Sequence, residues 1–396
     1  MKEKMFFFLC LLLVLFFHTN AFANPQGPRV VHGQAGFSNP DPNTLNVTNS
    51  PNAIVNWQGF SIQQSEITRF IQQSANSAVL NRVVGQDPSH LLGQLLSNGH
   101  VFLINPHGMV FGPNAIIDTA GFVASTLNIT DKDFLEGNLH FEGGPDSGSI
   151  LNQGYITAGK NGDIYLIAPN IENSGIIHTE GGNLLLAAGE SITITSLDTK
   201  GVHFEIQAQE NEVLNIGKIL ADGGAAGIFA GTLKHSGEIR ADTVAVDETG
   251  TVILSAGNDI NLEEGSILSA NGSNGGTVYV ESENGTTWVA GTVEAKGTVN
   301  EGGNVQVLGE RVALLGKASI DVSGGSGGGE VLVGGDYQGK NSEVKNARQT
   351  YVGEEASIRA DAISEGDGGK VIVWGNDMAR MYGTISARGG AESGDG

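Results

Sequence analysis

The sequence predicts an all-β protein built as a parallel β-helix, a solenoid of stacked coils, and three observations lead there. Five stretches share a Gly-x-Val-x-Val type of signature: Gly250-Thr251-Val252-Ile253-Leu254, Gly276-Thr277-Val278-Tyr279-Val280, Gly303-Asn304-Val305-Gln306-Val307, Gly329-Glu330-Val331-Leu332-Val333 and Gly369-Lys370-Val371-Ile372-Val373. They start 26, 27, 26 and 40 residues apart, and a fixed period in this range marks stacked repeats, not a globule. Within one period glycine separates three short β-prone runs, as at 305–308, 312–315 and 318–322, so each repeat reads as one triangular coil. A coil buries its apolar face only against the coils above and below it. The expected product is a rod that works through its surfaces and ends, by binding or scaffolding and not by catalysis.

The chain opens on Lys2 and Lys4, an unbroken apolar run over 5–17, and Ala21-Phe22-Ala23. This is the pattern of a secretory signal peptide over residues 1–23, cleaved before Asn24. The run is shorter than the about 20 residues a spanning helix needs, so the mature chain is expected to be exported and soluble. The single cysteine, Cys10, lies inside the run, where Phe7-Phe8-Leu9 lack the small residues of a lipoprotein site. Cleavage would leave no thiol, although exported proteins commonly use disulfides. Removing Lys2, Glu3 and Lys4 takes away a net +1 and changes the formal charge from −22 to −23. Such acidity argues against nucleic acid and anionic membranes, which attract clustered Lys and Arg. It reads instead as solubility for a long exposed rod.

Residues 24–142 hold most of the non-repetitive text. Asp87-Pro88-Ser89-His90 predicts a short helix start, with Asp87 as N-cap and Pro88 at the first helical position. Val101-Phe102-Leu103-Ile104 predicts a buried strand. Asn105-Pro106-His107-Gly108 then gives a β-turn, with proline second and glycine fourth. Met109-Val110-Phe111 follows as a strand, and Gly112-Pro113-Asn114 turns the chain again. Glycine becomes dense after Gly143-Gly144, which places a boundary there and assigns 143–396 to Gly-rich coils of about 20–27 residues. Gly162-Asp163-Ile164-Tyr165-Leu166 and Gly182-Asn183-Leu184-Leu185-Leu186 repeat the strand signature 20 residues apart, while the register over 187–249 stays open. The long step from Gly329 to Gly369 contains a polar stretch at 336–349 with Lys340, Lys345 and Arg348, expected to be a solvated loop on the side of the rod. The text stops where another coil is due, so the reading is an N-terminal portion of a longer protein or a truncated frame.

Through Ile54-Val55-Asn56-Trp57, Leu80-Asn81-Arg82-Val83, the run from Phe102 through Asn105-Pro106-His107-Gly108-Met109 and Gly112-Pro113-Asn114 to Ala115, and Phe122-Val123-Ala124-Ser125-Thr126-Leu127, the chain resembles the secretion domain of two-partner secretion exoproteins, the filamentous-haemagglutinin-like family. The resemblance covers about residues 24–130. It implies a right-handed parallel β-helix with an N-terminal cap and short antiparallel strands outside the helix. It also implies recognition of the domain by the periplasmic domains of a dedicated outer-membrane pore, and so a secreted or cell-surface protein of a Gram-negative bacterium, delivered through the periplasm. The family turn is Asn-Pro-Asn-Gly followed by an aliphatic residue. Asn105, Pro106, Gly108 and Met109 match it, and His107 stands where the second asparagine would be. Both residue types are enriched in left-handed backbone, so His107 reads as an exposed turn residue and not as a catalyst or ligand. Asn56, Trp57, Asn81, Arg82, Gly112, Pro113 and Asn114 complete the signature carried over from the family.

An enzyme is the rival reading, because parallel β-helices also include polysaccharide lyases and hydrolases that use paired carboxylates or a carboxylate-bound metal. Little in the sequence favours it. Glu263-Glu264 falls in a turn, and Gly324-Gly325-Ser326-Gly327-Gly328 lacks the strand-to-helix setting of a nucleophile elbow. The histidines have no zinc-ligand spacing. No catalytic residue, metal or cofactor is expected. The expected role is adhesion to host or bacterial surface glycans or proteins. The alternatives are a polysaccharide-active enzyme, or the stalk of a contact-dependent toxin whose effector lies beyond residue 396.

Overall fold

The computed structural model describes residues 24–144, 146–196, 203–207, 211–243 and 249–396; the predicted signal peptide and Cys10 lie outside them. Three long sheets of 13, 11 and 14 strands run the length of the molecule. From Ala78–Val83 onward each coil gives one strand to each sheet: Thr277–Ser282, Thr286–Val289 and Thr292–Glu294 are followed by Asn304–Leu308, Arg311–Leu314 and Ser319–Asp321. Successive coils pair in parallel, with Val278 on Val305, Trp288 on Ala313 and Val293 on Ile320. The parallel β-helix read from the glycine period is the fold. Eleven parallel steps at about 4.8 Å each make the first sheet roughly 50 Å tall.

Antiparallel strands close the N-terminal end. Arg29–His32 pairs with Ala53–Trp57 in the first sheet, and Ala35–Asp41 pairs with Thr44–Asn49 in the third. This cap covers strand edges that would otherwise be open to aggregation. Beneath it lie Trp57, Phe60 and Phe70, each at most 1% exposed. Trp57 meets Phe37 and Phe60 edge to face at 5.6 and 5.5 Å.

The helix expected at Asp87-Pro88 is not there. Ser89–Leu91 is instead a strand of the second sheet, paired in parallel with Met109–Phe111. Its alternation puts Ser89 and Leu91 inside and His90 outside, and stacking on the next coil overrides the local capping signal. Pro88, which has no N–H to give, sits just before the strand, where none is needed. A helix does form at Asp131–Glu136, with Thr130 accepting from the Asp133 N–H and Gly137 at φ 76° ending it.

The sheets continue across residues 143–144 without a break: Phe122 pairs with Ile164 in the first sheet. What changes near that point is the outer side of the first sheet. Ile164–Ala168 and Leu184–Ala188 are buried on both faces, as continuous apolar runs require. Their outward residues Tyr165, Ile167, Leu185 and Ala187 form a second core with Leu127, Ile129, Phe134, Phe141, Ile192 and Ile194. The cover is a three-stranded antiparallel sheet of Leu139–Glu142, Ser191–Ser196 and His203–Gln207. This excursion accounts for the irregular register after residue 187: Leu184 pairs with Ala226, 42 positions on. The stretch at 336–349, expected as a solvated loop, folds back onto the first sheet as well. Val344 packs with Leu308 and Leu332, and Lys370 joins the loop's Asp336 to Glu330.

A polar ladder runs inside the rod along the second sheet. Asn152, Asn173, Asn215 and His235 end successive strands, stack in register and are all fully buried. The Asn152 amide N–H donates to Asn173 Oδ1 and that of Asn173 to Asn215 Oδ1, both at 2.8 Å. Asn215 Nδ2 lies 3.0 Å from His235 Nδ1, and His235 Nε2 lies 3.3 Å from the Ile267 carbonyl. These contacts fit a neutral imidazole that accepts at Nδ1 and donates at Nε2. Burial pushes the His235 pKa down from 6.5 to about 4, partly offset by the Ile267 and Asn215 carbonyls. The unfolded chain therefore binds more protons than the folded one between about pH 4 and 6.5, and stability is lost as pH falls through that window. From pH 7 to 5 the loss from this one group is about 2 kcal/mol. The urea midpoint of the coils around residue 235 should show this drop in wild type, and His235→Asn, which extends the ladder with a group that does not titrate, should remove it.

Candidate functional site

The turn at residues 105–108 links His100–Ile104 of the first sheet to Met109–Phe111 of the second. The Gly108 N–H donates to the Asn105 carbonyl at 3.2 Å, closing the β-turn. Asn105 itself is fully buried. Its Nδ2 donates to the Asp87 carbonyl at 3.1 Å and to Ser89 Oγ at 2.9 Å, and its Oδ1 accepts the His107 N–H at 3.0 Å. The side chain thus fixes the turn from within and ties it to the coil below. The coil above is tied on as well, because the Gly148 N–H donates to the Pro106 carbonyl at 2.7 Å and Met109 N–H to the Ser149 carbonyl at 3.0 Å. Gly108 has φ 106°, a conformation that glycine adopts without strain. Met109 is buried in the core, Pro106 is half-buried, and His107 points to solvent.

The second turn follows after one strand. Gly112 N–H donates to the Leu91 carbonyl and Ala115 N–H to the Gly112 carbonyl, both at 2.9 Å. A Cβ on Gly112 would press on Leu92 Cδ2 at 2.7 Å. Pro113 and Asn114 are exposed. His107, Pro113 and Asn114 therefore flank one short strand of the second sheet, at two neighbouring corners of the same coil.

Trp57, Asn81 and Asn56 lie on the inner coils beside this corner. Trp57 Nε1 donates to Asn81 Oδ1 at 3.0 Å, and Asn81 Nδ2 to the Phe102 carbonyl at 3.3 Å, all within the core. Asn56 is half-buried and pairs in register with Arg82, which pairs in turn with Ile104, the residue before the turn. Arg82 clamps the outer cover. Its Nε donates to Asn128 Oδ1 at 3.0 Å, Nη1 to Asp131 Oδ1 at 2.7 Å, and Nη2 to the Ile129 carbonyl at 2.7 Å. Arg82→Ala is expected to cost about 2–3 kcal/mol and to free the segment at 128–142, with faster amide exchange there and little change in the cap. Arg82→Lys, with a single point charge for a fork, should restore less than half.

The sequence-matched residues thus divide into buried or half-buried ones that shape the first coils and three exposed ones, His107, Pro113 and Asn114, that these coils present. The signature missed Ser89, the inner partner of Asn105, and the Asn128 to Asp131 segment that Arg82 holds. For the second there was a local signal: Thr130-Asp131-Lys132-Asp133 is a capping pattern, with Thr130 Oγ1 2.5 Å from Asp133 Oδ2. Among the described residues no group of three or more His, Cys, Asp or Glu is placed to hold a metal ion.

Comparison with known proteins places this geometry. The crystal structure of the HMW1 secretion domain from Haemophilus influenzae superposes with a TM-score of 0.76 at 36% identity, over 94% of this chain and 91% of that one. A heme/hemopexin-binding protein of Haemophilus influenzae is 32% identical over 206 residues, half of this chain but 23% of the relative's length. A hemolysin of Proteus mirabilis is 28% identical over 235 residues, 51% of this chain and 14% of that protein. The chain therefore spans less than a quarter of the length of these curated relatives. The TPS secretion domain profile matches residues 21–280, well past the last coil covered by the extra sheet, and the chain belongs to the TPS secretion domain family.

Proposed function

We propose that this chain is the leading part of an exported exoprotein: its signal peptide delivers it to the periplasm, the periplasmic domains of a dedicated outer-membrane pore engage residues 24–142, and the later coils form the shaft of a non-enzymatic adhesin at the cell surface. The observation that carries the reading is the 105–108 turn: the buried Asn105 amide ties it to the coil below, and the Pro106 carbonyl and Met109 N–H tie it to the coil above. The family membership supports the pore partner. The shaft supports display. Its outward rows alternate polar residues with cross-coil ion pairs such as Lys218 with Glu238 and Lys234 with Glu212, a surface suited to standing in water. The names of the relatives, heme/hemopexin-binding protein and hemolysin, keep two further roles in view for a full-length protein.

Export of residues 1–396 into the medium, with and without the pore encoded nearest to it, tests the route. Accumulation in the medium only when the pore is present is the expected result, and equal accumulation without it would overturn the proposal. Beads coated with the secreted chain test the role: retention on host or bacterial cells above that of bare beads supports adhesion, and retention equal to bare beads removes it.

A further inference from the structure

Asn24, the residue after the predicted cleavage point, is built into the fold. It is 5% exposed and held at three points. Its backbone N donates to Glu66 Oε2 at 2.8 Å, its Nδ2 to the Asn43 carbonyl at 3.1 Å, and its Oδ1 accepts from Thr68 Oγ1 at 3.0 Å. Asn43 lies in the turn between the cap strands Ala35–Asp41 and Thr44–Asn49, and Thr68 lies on Ile67–Ile71 of the first coil. Asn24 therefore pins the cap hairpin to the coil it covers.

Glu66 is the unusual partner. It is 6% exposed, and the same Oε2 also accepts the Gln63 N–H at 2.8 Å. Among the described residues no Lys, Arg or His side chain forms an ion pair with it. A buried carboxylate is ordinarily paired with a cation, and here the printed contacts of Glu66 Oε2 are two backbone N–H groups. Cleavage before Asn24 changes what stands opposite it. Water adds across the Ala23–Asn24 peptide bond, Ala23 departs as a carboxylate, and the Asn24 nitrogen becomes an α-ammonium, with a full positive charge at a position already 2.8 Å from the carboxylate.

We infer that removal of the signal peptide creates a structural ion: the new α-ammonium of Asn24 is the buried counter-ion of Glu66, and their pairing locks the N-terminal cap. Glu66 passes the lock into the rod, because its carbonyl accepts the Gln94 N–H at 2.9 Å, where Ile67–Ile71 stacks on Gln94–Ser97. A chain that still carries its leader keeps this carboxylate without the charged partner, so the cap is held more tightly on processed chains. The inference rests on the signal-peptide reading and not on the pore.

The secreted full chain tests it. Its intact mass should place the first residue at Asn24 with a free amine; a start elsewhere overturns the inference. An amine-reactive acylating reagent at neutral pH should label this terminus at least about tenfold more slowly in the native chain than in urea, as expected of a closed site. Glu66→Gln should abolish the protection while amide exchange in the distal coils stays as in wild type. Acetylation of the terminus before refolding supplies a second arm that needs no mutation. It should speed amide exchange in the cap strands of wild type and have no further effect in Glu66→Gln. Equal labelling rates in native and unfolded chains, or equal effects of acetylation in the two backgrounds, would overturn the ion pair. A protected terminus on a chain exported without the pore would refute the route proposed above and leave the ion pair standing.

Discussion

Asn105→Ala is expected to lower the stability of the first coils by about 3 kcal/mol and to reduce pore-dependent export to background. The side chain is fully buried and makes three hydrogen bonds. Truncation leaves Ser89 Oγ, itself fully buried, without its partner. Each orphaned buried group costs about 1–3 kcal/mol, while the Asp87 carbonyl and the His107 N–H lie at exposed residues where water can replace the amide. Asn105→Asp separates shape from chemistry. It keeps the acceptor toward His107 N–H but loses both donated bonds and places a charge beside the Asp87 carbonyl, so it should be no better than alanine. Urea titration followed by amide exchange at 89–91 and 109–111 measures the first effect, and the fraction of chain in the medium measures the second. An alanine variant of wild-type stability would show that the turn is held by stacking alone.

Trp57→Ala should cost more, about 4–5 kcal/mol, most of it in the cap. Large buried aromatics lose about 3–5 kcal/mol on truncation, and Trp57 also leaves Asn81 Oδ1 without its donor. The two edge-to-face contacts with Phe37 and Phe60 go with the ring. Trp57→Phe keeps most of the volume and should lose only about 1–2 kcal/mol, chiefly from the unpaired Asn81 oxygen. Because stability in a solenoid is a sum over neighbouring coils, the loss should appear as faster exchange in Ala53–Trp57 and Ala78–Val83 with the distal coils unchanged. Trp288 and Trp374 remain as fluorescent reporters of those distal coils.

The features legible in the sequence were those encoded locally. The strands at 305–308 and 312–315 follow from alternation and glycine punctuation within one coil, and the 105–108 turn follows from proline and glycine at fixed offsets. The features that depend on the neighbouring coil were harder to see. Asp87-Pro88 carries a true helix-start pattern, and only the pairing of Ser89 with Met109 makes it a strand. Arg82 finds its partners 46 to 49 positions downstream, a separation no local window spans. The buried ladder has a faint trace in the sequence: Asn152-Gln153-Gly154-Tyr155-Ile156, Asn173-Ser174-Gly175-Ile176-Ile177, Asn215-Ile216-Gly217-Lys218-Ile219 and His235-Ser236-Gly237-Glu238-Ile239 share one spacing. Its meaning becomes clear once each side chain is seen bonded to the next. Likewise Leu184-Leu185-Leu186 announces a strand buried on both faces, but not that strands near residues 140 and 192 supply the cover.

The same dependence of each coil on the last gives the export reading its energetics. A coil that docks on a finished coil gains contacts at once, so folding outside the cell that starts at the cap would oppose back-sliding of the chain through the pore without ATP. The direct measurement is the rate of pore-dependent export of Gly182→Val. A Cβ at this position would overlap the Gly162 carbonyl of the coil below, so the coil that begins there cannot dock although the cap and first coils are untouched. The account predicts export that stalls or slows several-fold, with protease protection ending before about residue 180. Export at the wild-type rate, with the distal coils unfolded, would contradict it.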